Sequence, residues 1–212
     1  MKELIIAAEN AFGLDIAKIV DASNAFWKEQ GWGIPYHIKG YILPKDHQAC
    51  DCLHPVLGFI EDWIPGEREY FVMGIVDPQR KQQAVQLLKD KGAVFETLWA
   101  PWVMAHLDMQ FPEGCIIAAQ SIMDSARIGK FVTLFHSMIG FDAVVEDFAS
   151  VMAYANITTA HIGKRAFIGD NSVVIEKTVN DDAVVTPNSV VVKNVKAGTT
   201  VMGNPARRVK EL

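Results

Sequence analysis

The sequence predicts two folds in one chain: a small α/β domain with a parallel sheet, followed by an all-β domain, a left-handed parallel β-helix. Three observations predict this. Apolar strand-like runs alternate with amphipathic helical stretches up to about residue 99. From about Cys115 onward the helical period disappears, and an aliphatic residue recurs every five or six positions. In most of these repeats a small residue follows four places after the aliphatic one.

The first half is read element by element. Leu4-Ile5-Ile6-Ala7-Ala8 is a buried strand. Phe12, Ile16, Ile19, Val20 and Phe26 fall near helical spacing and predict a helix over about 12–29. Residues 36–43 form a second strand and 70–76 a third. Asp77 is then an N-cap with Pro78 at the first helical position, where its missing N–H costs nothing. The amphipathic run 78–90 is stopped by Gly92, and 93–99 is a fourth strand.

In the second half the aliphatic series runs Ile122, Ile128, Leu134, Ile139, Val145, Val151, Ile157, Ile162, Ile168, Val174, Val179, Val185, Val191. The small series includes Ala126, Ala143, Ala149, Ala155, Ala166 and Ser172. A three-faced prism explains both. The aliphatic residue points inward and stacks on its equivalents, and the small residue fits the tight corner. Gly129, Gly140, Gly163 and Gly169 follow aliphatic positions and are expected to take the backbone round the bend. Three hexapeptides per coil give about four coils. The steps Leu134→Ile139, Ile157→Ile162 and Val174→Val179 are one residue short and are expected to be local kinks. A β-sandwich would show wider, irregular turn spacing.

The formal charge of −5 argues against a general nucleic-acid binder, which needs a basic face. The apolar stretches are too short and broken for a membrane span, and the N-terminus has no signal-like core, so a cytoplasmic protein is expected. Three cysteines suit a reducing compartment. His47, Cys50, Cys52 and His54 lie close together, but their spacing matches no standard zinc site, and a polar loop without metal is the preferred reading.

The repeats end in Gly203-Asn204-Pro205-Ala206-Arg207-Arg208, which resembles the closing turn of hexapeptide acyltransferases. With the α/β domain in front, the whole chain resembles the sialic acid O-acetyltransferase family, which includes N-acetyltransferases acting on nucleotide-linked amino sugars. The resemblance implies a Rossmann-like domain over 1–108 that binds a nucleotide-sugar and a β-helix over 109–212. It also implies a homotrimer, with acetyl-CoA in the groove between neighbouring β-helices. A histidine would be the general base, an acidic neighbour would orient it, and backbone N–H groups would hold the thioester oxyanion. His161, Gly169, Gly203, Asn204, Pro205, Ala206, Arg207 and Arg208 would line the cofactor, with the arginines and Lys210 on its phosphates.

The sequence departs from that family at two places. The family's base lies in a stretch that reads here Ile139-Gly140-Phe141-Asp142-Ala143-Val144-Val145-Glu146-Asp147-Phe148. Asp142 supplies the acid, but Phe141 stands where the histidine would be, and a phenyl ring accepts no proton. His136, five residues earlier, is the expected substitute base. The second departure is the glycine-rich loop after the first strand, of which only Gly13 remains as a substrate-binding candidate, with Glu9 placed to repel a phosphate. Two readings follow: an acetyl-CoA-dependent transferase acting on an amino or hydroxy sugar, or a catalytically impaired β-helix protein kept as a binding or structural partner in glycan synthesis. Trp99 and Trp102, at the junction of the halves, read as packing residues.

Overall fold

A computed structural model describes the chain except for residues 1, 10, 32–34, 48–52, 106–108, 119, 124 and 210–212. Cys50, Cys52, His106 and Lys210 therefore lie outside the described residues. Strands β1 (Lys2–Ala8), β2 (Tyr36–Leu43), β3 (Val56–Phe59), β4 (Glu69–Gly74) and β5 (Val94–Phe95) form one parallel sheet in the order β3-β2-β1-β4-β5. Helix α1 (Ala11–Glu29) covers one face and α2 (Pro78–Asp90) the other. This explains the unbroken apolar run of β1. Leu4, Ile6 and Ala8 pack under α1, while Ile5 and Ala7 pack under α2, so both faces of the strand are buried. Helix α2 starts as the sequence predicts, with the Asp77 side chain accepting from the Arg80 amide at 2.8 Å. Strand β3 goes beyond the sequence reading. The expected strand 93–99 is two strands, because β6 (Leu98–Trp99) leaves this sheet and pairs with β7 (Ile116–Ala118).

β6 is the first strand of the second architecture, which has three parallel sheets wound as a β-helix. Inward residues stack in columns. The first face carries Ile117, Leu134, Val151, Ile168, Val185 and Val201, the second Ile122, Ile139, Ile157, Val174 and Val191, and the third Ile128, Val145, Ile162 and Val179. Nearly all of them are fully buried, each contributing about 1.5–3 kcal/mol of burial free energy. The first-face column spans five coils, one more than expected.

Two expectations about the prism need correction. Leu134 stands opposite Val151, Val151 opposite Ile168 and Ile168 opposite Val185, so these interior coils are equal in length, each made of two hexapeptides and one pentapeptide, and only the last, Val185 to Val201, is one residue shorter. The short steps are the regular means of closing a coil, one per turn, and pairing continues through them without a kink. Nor do those four glycines make the bends. From Phe131 to Asn188 the residues with φ of 45° to 63° occur once per corner and are not glycine: Phe131, His136, Asp142, Phe148, Tyr154, Thr159, Arg165, Asn171, Glu176, Asp182 and Asn188; Gly114 (φ 72°) and Gly198 (φ 62°) take positive φ towards the two ends of the prism. Gly129, Gly140, Gly163 and Gly169 have no positive φ. A Cβ on Gly129 would instead stand 2.6 Å from the Asp147 amide nitrogen of the next coil, and one on Gly169 2.5 Å from the Pro187 nitrogen. Close approach of stacked coils, not turn geometry, excludes a side chain there.

The α/β domain sits on the first face. Ile116, Thr133 and Ser150 point out of the prism and are nevertheless buried. At the corner between the first and second faces, Phe12 of α1 meets Phe135 edge-on at 5.1 Å. At the corner between the third and first faces, Phe131 stacks on Phe148 at 5.1 Å, Phe95 meets Phe131 edge-on at 5.2 Å, and Lys89 of α2 lies over Phe131. The corner between the second and third faces is left to solvent, with Phe141, Asp142, Thr159, Glu176, Lys193 and Asn194 along it. No helix among the described residues is long and apolar enough to cross a membrane.

Candidate functional site

The end of the prism and its uncovered corner each carry distinct chemistry. In the last coil the chain returns after Gly203 (φ 97°) to lay Arg207–Arg208 antiparallel on Thr200–Met202. The turn is fixed by the Gly203 amide donating to Ser189 Oγ at 3.1 Å and the Ala206 amide donating to the Val190 carbonyl at 2.8 Å. This places Arg207 and Arg208 beside Lys193 and Lys196 around a concavity of about 320 Å³. Four cations thus converge on one end of a chain with net charge −5. Asn204, Pro205 and Ala206 serve as the turn that brings the two arginines back. The sequence announced the arginines; the lysines were missed, because the spacing between 193 and 207 gives no sign that they share an end of the prism. Gly169 lies in the body of the prism, where close packing against Pro187 accounts for it.

Two to three coils back, at the uncovered corner, lie Phe141 and Asp142 of one coil and His161 of the next. The Thr159 amide donates to the Phe141 carbonyl at 2.7 Å, locking the coils together. Asp142 adopts φ 52°, its amide donating to Ser125 Oγ at 2.9 Å. Beside them on the third face, His161 Nε2 and Glu146 Oε1 are 2.8 Å apart, with side chains 47% and 32% exposed. A carboxylate only accepts, so Nε2 carries the hydrogen and Nδ1 is the free lone pair. Glu146 could have been suspected from the sequence: it occupies the place after an aliphatic where Gly129, Gly140 and Gly163 stand in neighbouring repeats.

His136 is elsewhere. It is the left-handed residue (φ 45°) of the corner between the first and second faces, whereas Asp142 stands at the corner between the second and third. Its ring stacks parallel on Trp102 at 6.2 Å and meets Phe135 edge-on at 4.6 Å. With Asp15 and Lys18 of α1 and with Tyr154 it lines a concavity of about 560 Å³ between α1 and the prism. Within one chain, then, His136 and Asp142 are not brought together.

At the other pole, the carboxyl ends of β1, β2 and β4 and the start of α2 meet where the strand order changes direction, the usual place for a ligand in an open parallel sheet. Glu9, expected to repel a phosphate, is buried and bound to Arg80 Nε at 2.6 Å. The same guanidinium grips Asp46 with both terminal nitrogens at 3.0 Å, which lowers the Asp46 carboxyl to about 2. Arg80 with Asp46 also borders a concavity of about 350 Å³ that extends to Leu87. Gly13 is explained by packing, since a Cβ there would lie 2.2 Å from the Ala8 Cβ. His47 Nδ1 faces Asp46 at 3.4 Å, and no cluster of three metal-ligand side chains occurs among the described residues.

The junction of the two architectures contains a buried amine. Lys81 of α2 is 1% exposed, and its Nζ donates to Thr133 Oγ1 at 3.0 Å, Ser150 Oγ at 2.9 Å and the Ala149 carbonyl at 3.2 Å. Burial lowers its pKa to about 7, and burial likewise pushes the Cys115 thiol up to about 11.

No protein-family model matches the chain, and no curated protein does. Solved structures match it over its full length. The acetyltransferase domain of PglB from Neisseria gonorrhoeae FA1090 is 17% identical with a TM-score of 0.78, over 99% of this chain and 100% of that one. A histidine-to-asparagine variant of perosamine N-acetyltransferase from Caulobacter crescentus, solved with CoA and GDP-perosamine, is 18% identical with a TM-score of 0.80, over 100% and 98%. WeeI from Acinetobacter baumannii AYE is 21% identical with a TM-score of 0.79, over 99% and 100%. The chain therefore shares, end to end, the fold of the PglB acetyltransferase domain and of perosamine N-acetyltransferase.

Proposed function

We propose that the protein is an acetyl-CoA-dependent acetyltransferase acting on an amino or hydroxyl group of a sugar carried on a nucleotide. The observation that carries this reading is the pairing of four cations converging at the end of the last coil with a histidine–carboxylate group two to three coils away, beside the uncovered corner. Adjacent coils are about 4.8 Å apart, so the two ends are about 10–15 Å apart, a span suited to a cofactor with phosphates at one end and a thioester at the other. The shared fold supports the same reading, because the perosamine enzyme holds CoA and GDP-perosamine on it. Lys193, Lys196, Arg207 and Arg208 would hold the phosphates, Arg as a bidentate fork. The parallel-sheet domain, Rossmann-like in this reading, would take the nucleotide at the carboxyl edge of its strands.

In the same reading the protein is a homotrimer. Met138, Ile175 and Val192 are each more than 40% exposed on the second face, with Phe141 and Tyr154 flanking it. Three-fold packing of this face would cover the apolar side chains and close the open corner into a groove. Light scattering giving a trimer mass is the expected result; a stable monomer would contradict the shared groove.

The test of function is calorimetry with acetyl-CoA on the wild type and on a Lys193→Glu/Arg207→Glu double variant, followed by thiol release in the presence of GDP-perosamine. Binding that weakens at least tenfold in the variant and with added salt supports the reading. A specific observation favours the second reading, a binding protein without turnover: the ring of Phe141 is 63% exposed at the corner where a base is needed. Tight CoA binding with no thiol release on any sugar amine would establish that reading instead.

A further inference from the structure

Transfer of an acetyl group from a thioester to an amine needs a group that takes a proton at the moment the new C–N bond forms. The chain has six histidines, five of them described. His37 contacts Glu3 at 3.0 Å on the amino-terminal side of the parallel sheet, and His47 and His54 belong to the same domain. His136 lies flat against Trp102 beneath α1, at a different corner from Phe141 and Asp142. His161 alone among the five is on the open corner's flank and is held by a carboxylate. Its strand pairs with the segment that follows Phe141 and Asp142, Val144 lying opposite His161.

Resting on the acetyltransferase reading, we propose that His161, oriented by Glu146, is the general base of this protein. Glu146 Oε1 holds the Nε2 hydrogen and turns Nδ1 outward. The acceptor nitrogen attacks the thioester carbonyl carbon, forming the C–N bond, and its proton passes to Nδ1. The C–S bond then breaks, and the leaving thiolate takes the proton from the imidazolium to depart as CoA thiol. Glu146 stabilises the transient cation without being protonated itself. The base is thereby moved one coil along the prism from the corner occupied by Phe141, and the apolar ring at 141 becomes a wall that keeps water from the thioester.

The test uses the full-length protein. His161→Ala and Glu146→Gln should bind acetyl-CoA within about twofold of wild type, as both lie away from the cation cluster. Thiol release with acetyl-CoA and GDP-perosamine should fall at least 100-fold in His161→Ala and partly return with added imidazole. In Glu146→Gln kcat should fall by about tenfold while KM for acetyl-CoA stays within about twofold, a split that a merely structural role would not produce. An acceptor-independent readout is diethylpyrocarbonate modification mapped by mass spectrometry, in which saturating acetyl-CoA should shield His161. The proposal is overturned by unchanged modification of His161 under saturating acetyl-CoA, or by kcat within threefold of wild type in His161→Ala. Failure to bind acetyl-CoA, or binding without thiol release in the wild type, would instead overturn the acetyltransferase reading on which it rests.

Discussion

Replacing Lys81 by Met should flatten the pH dependence of stability. In the folded protein the amine is wholly enclosed, and its pKa is lowered from 10.5 to about 7, first by burial, with Cys115 and Asp77 acting in the opposite direction. The unfolded chain therefore binds the proton more tightly than the folded one between those values. By linkage, stability is lowest below pH 7, where folding must bury an ammonium, and it rises with pH until about 10.5. At about 1.4 kcal/mol per pH unit the whole interval is worth about 5 kcal/mol, of which about 3 falls between pH 6 and pH 9. Cys115, pushed up to about 11, is uncharged throughout that range. Methionine fills nearly the same volume without the charge. Few polar atoms are orphaned, since Ser150 Oγ still donates to the Val76 carbonyl at 2.7 Å and the Ala149 carbonyl still accepts from the Thr133 amide at 3.0 Å. Guanidinium unfolding of both proteins at pH 6, 7.5 and 9 reads the effect. The variant should be the more stable at pH 6, and the gap should close by about 3 kcal/mol at pH 9. Parallel profiles for the two proteins would refute the argument.

Further expectations follow from the prism. Gly140→Ala should lower stability by about 1–3 kcal/mol by overpacking, because its Cβ would stand 2.4 Å from Thr158 Oγ1; Thr158→Ala added to it should restore much of the loss in thermal melts. Gly163→Ala meets the backbone nitrogen of Asp181 at 2.7 Å, so no such side-chain rescue should exist. At the left-handed corner residue Asn188, φ 59°, Asn188→Ala should cost about 1 kcal/mol in denaturant titrations, while Asn188→Gly stays within about 0.5.

The prism was legible in the sequence because its stabilising contacts repeat. Each inward aliphatic stacks on another of its kind, so the period survives as a pattern. The role of the glycines was misread because a glycine has two uses, conformational freedom and lack of volume, and sequence alone does not separate them. Asp142 and Asn171 adopt the left-handed corner conformation readily, but so here do Phe131 and Tyr154, which offer no local hint. The cation cluster was half visible: Arg207–Arg208 close the repeat, whereas Lys193 and Lys196 join them only through the fold. Glu146 and His161 are distant in the sequence, and their pairing means nothing until one turn of the prism places the side chains side by side. Glu9 was misjudged for the same reason, since Arg80, its ion partner, is 71 residues away.

A coil of fixed length makes the second half of the chain a ruler, each graduation being two hexapeptides and a pentapeptide. Excising one whole graduation returns every column to its neighbour, whereas cutting one residue too few or too many turns each inward aliphatic away from the axis. Size in such a scaffold changes by quanta, and each quantum moves the basic terminus about 4.8 Å relative to the Asp142 corner. A variant lacking one interior coil should therefore fold and yet measure the wrong length for its ligand, separating what the scaffold needs to stand from what it needs to reach.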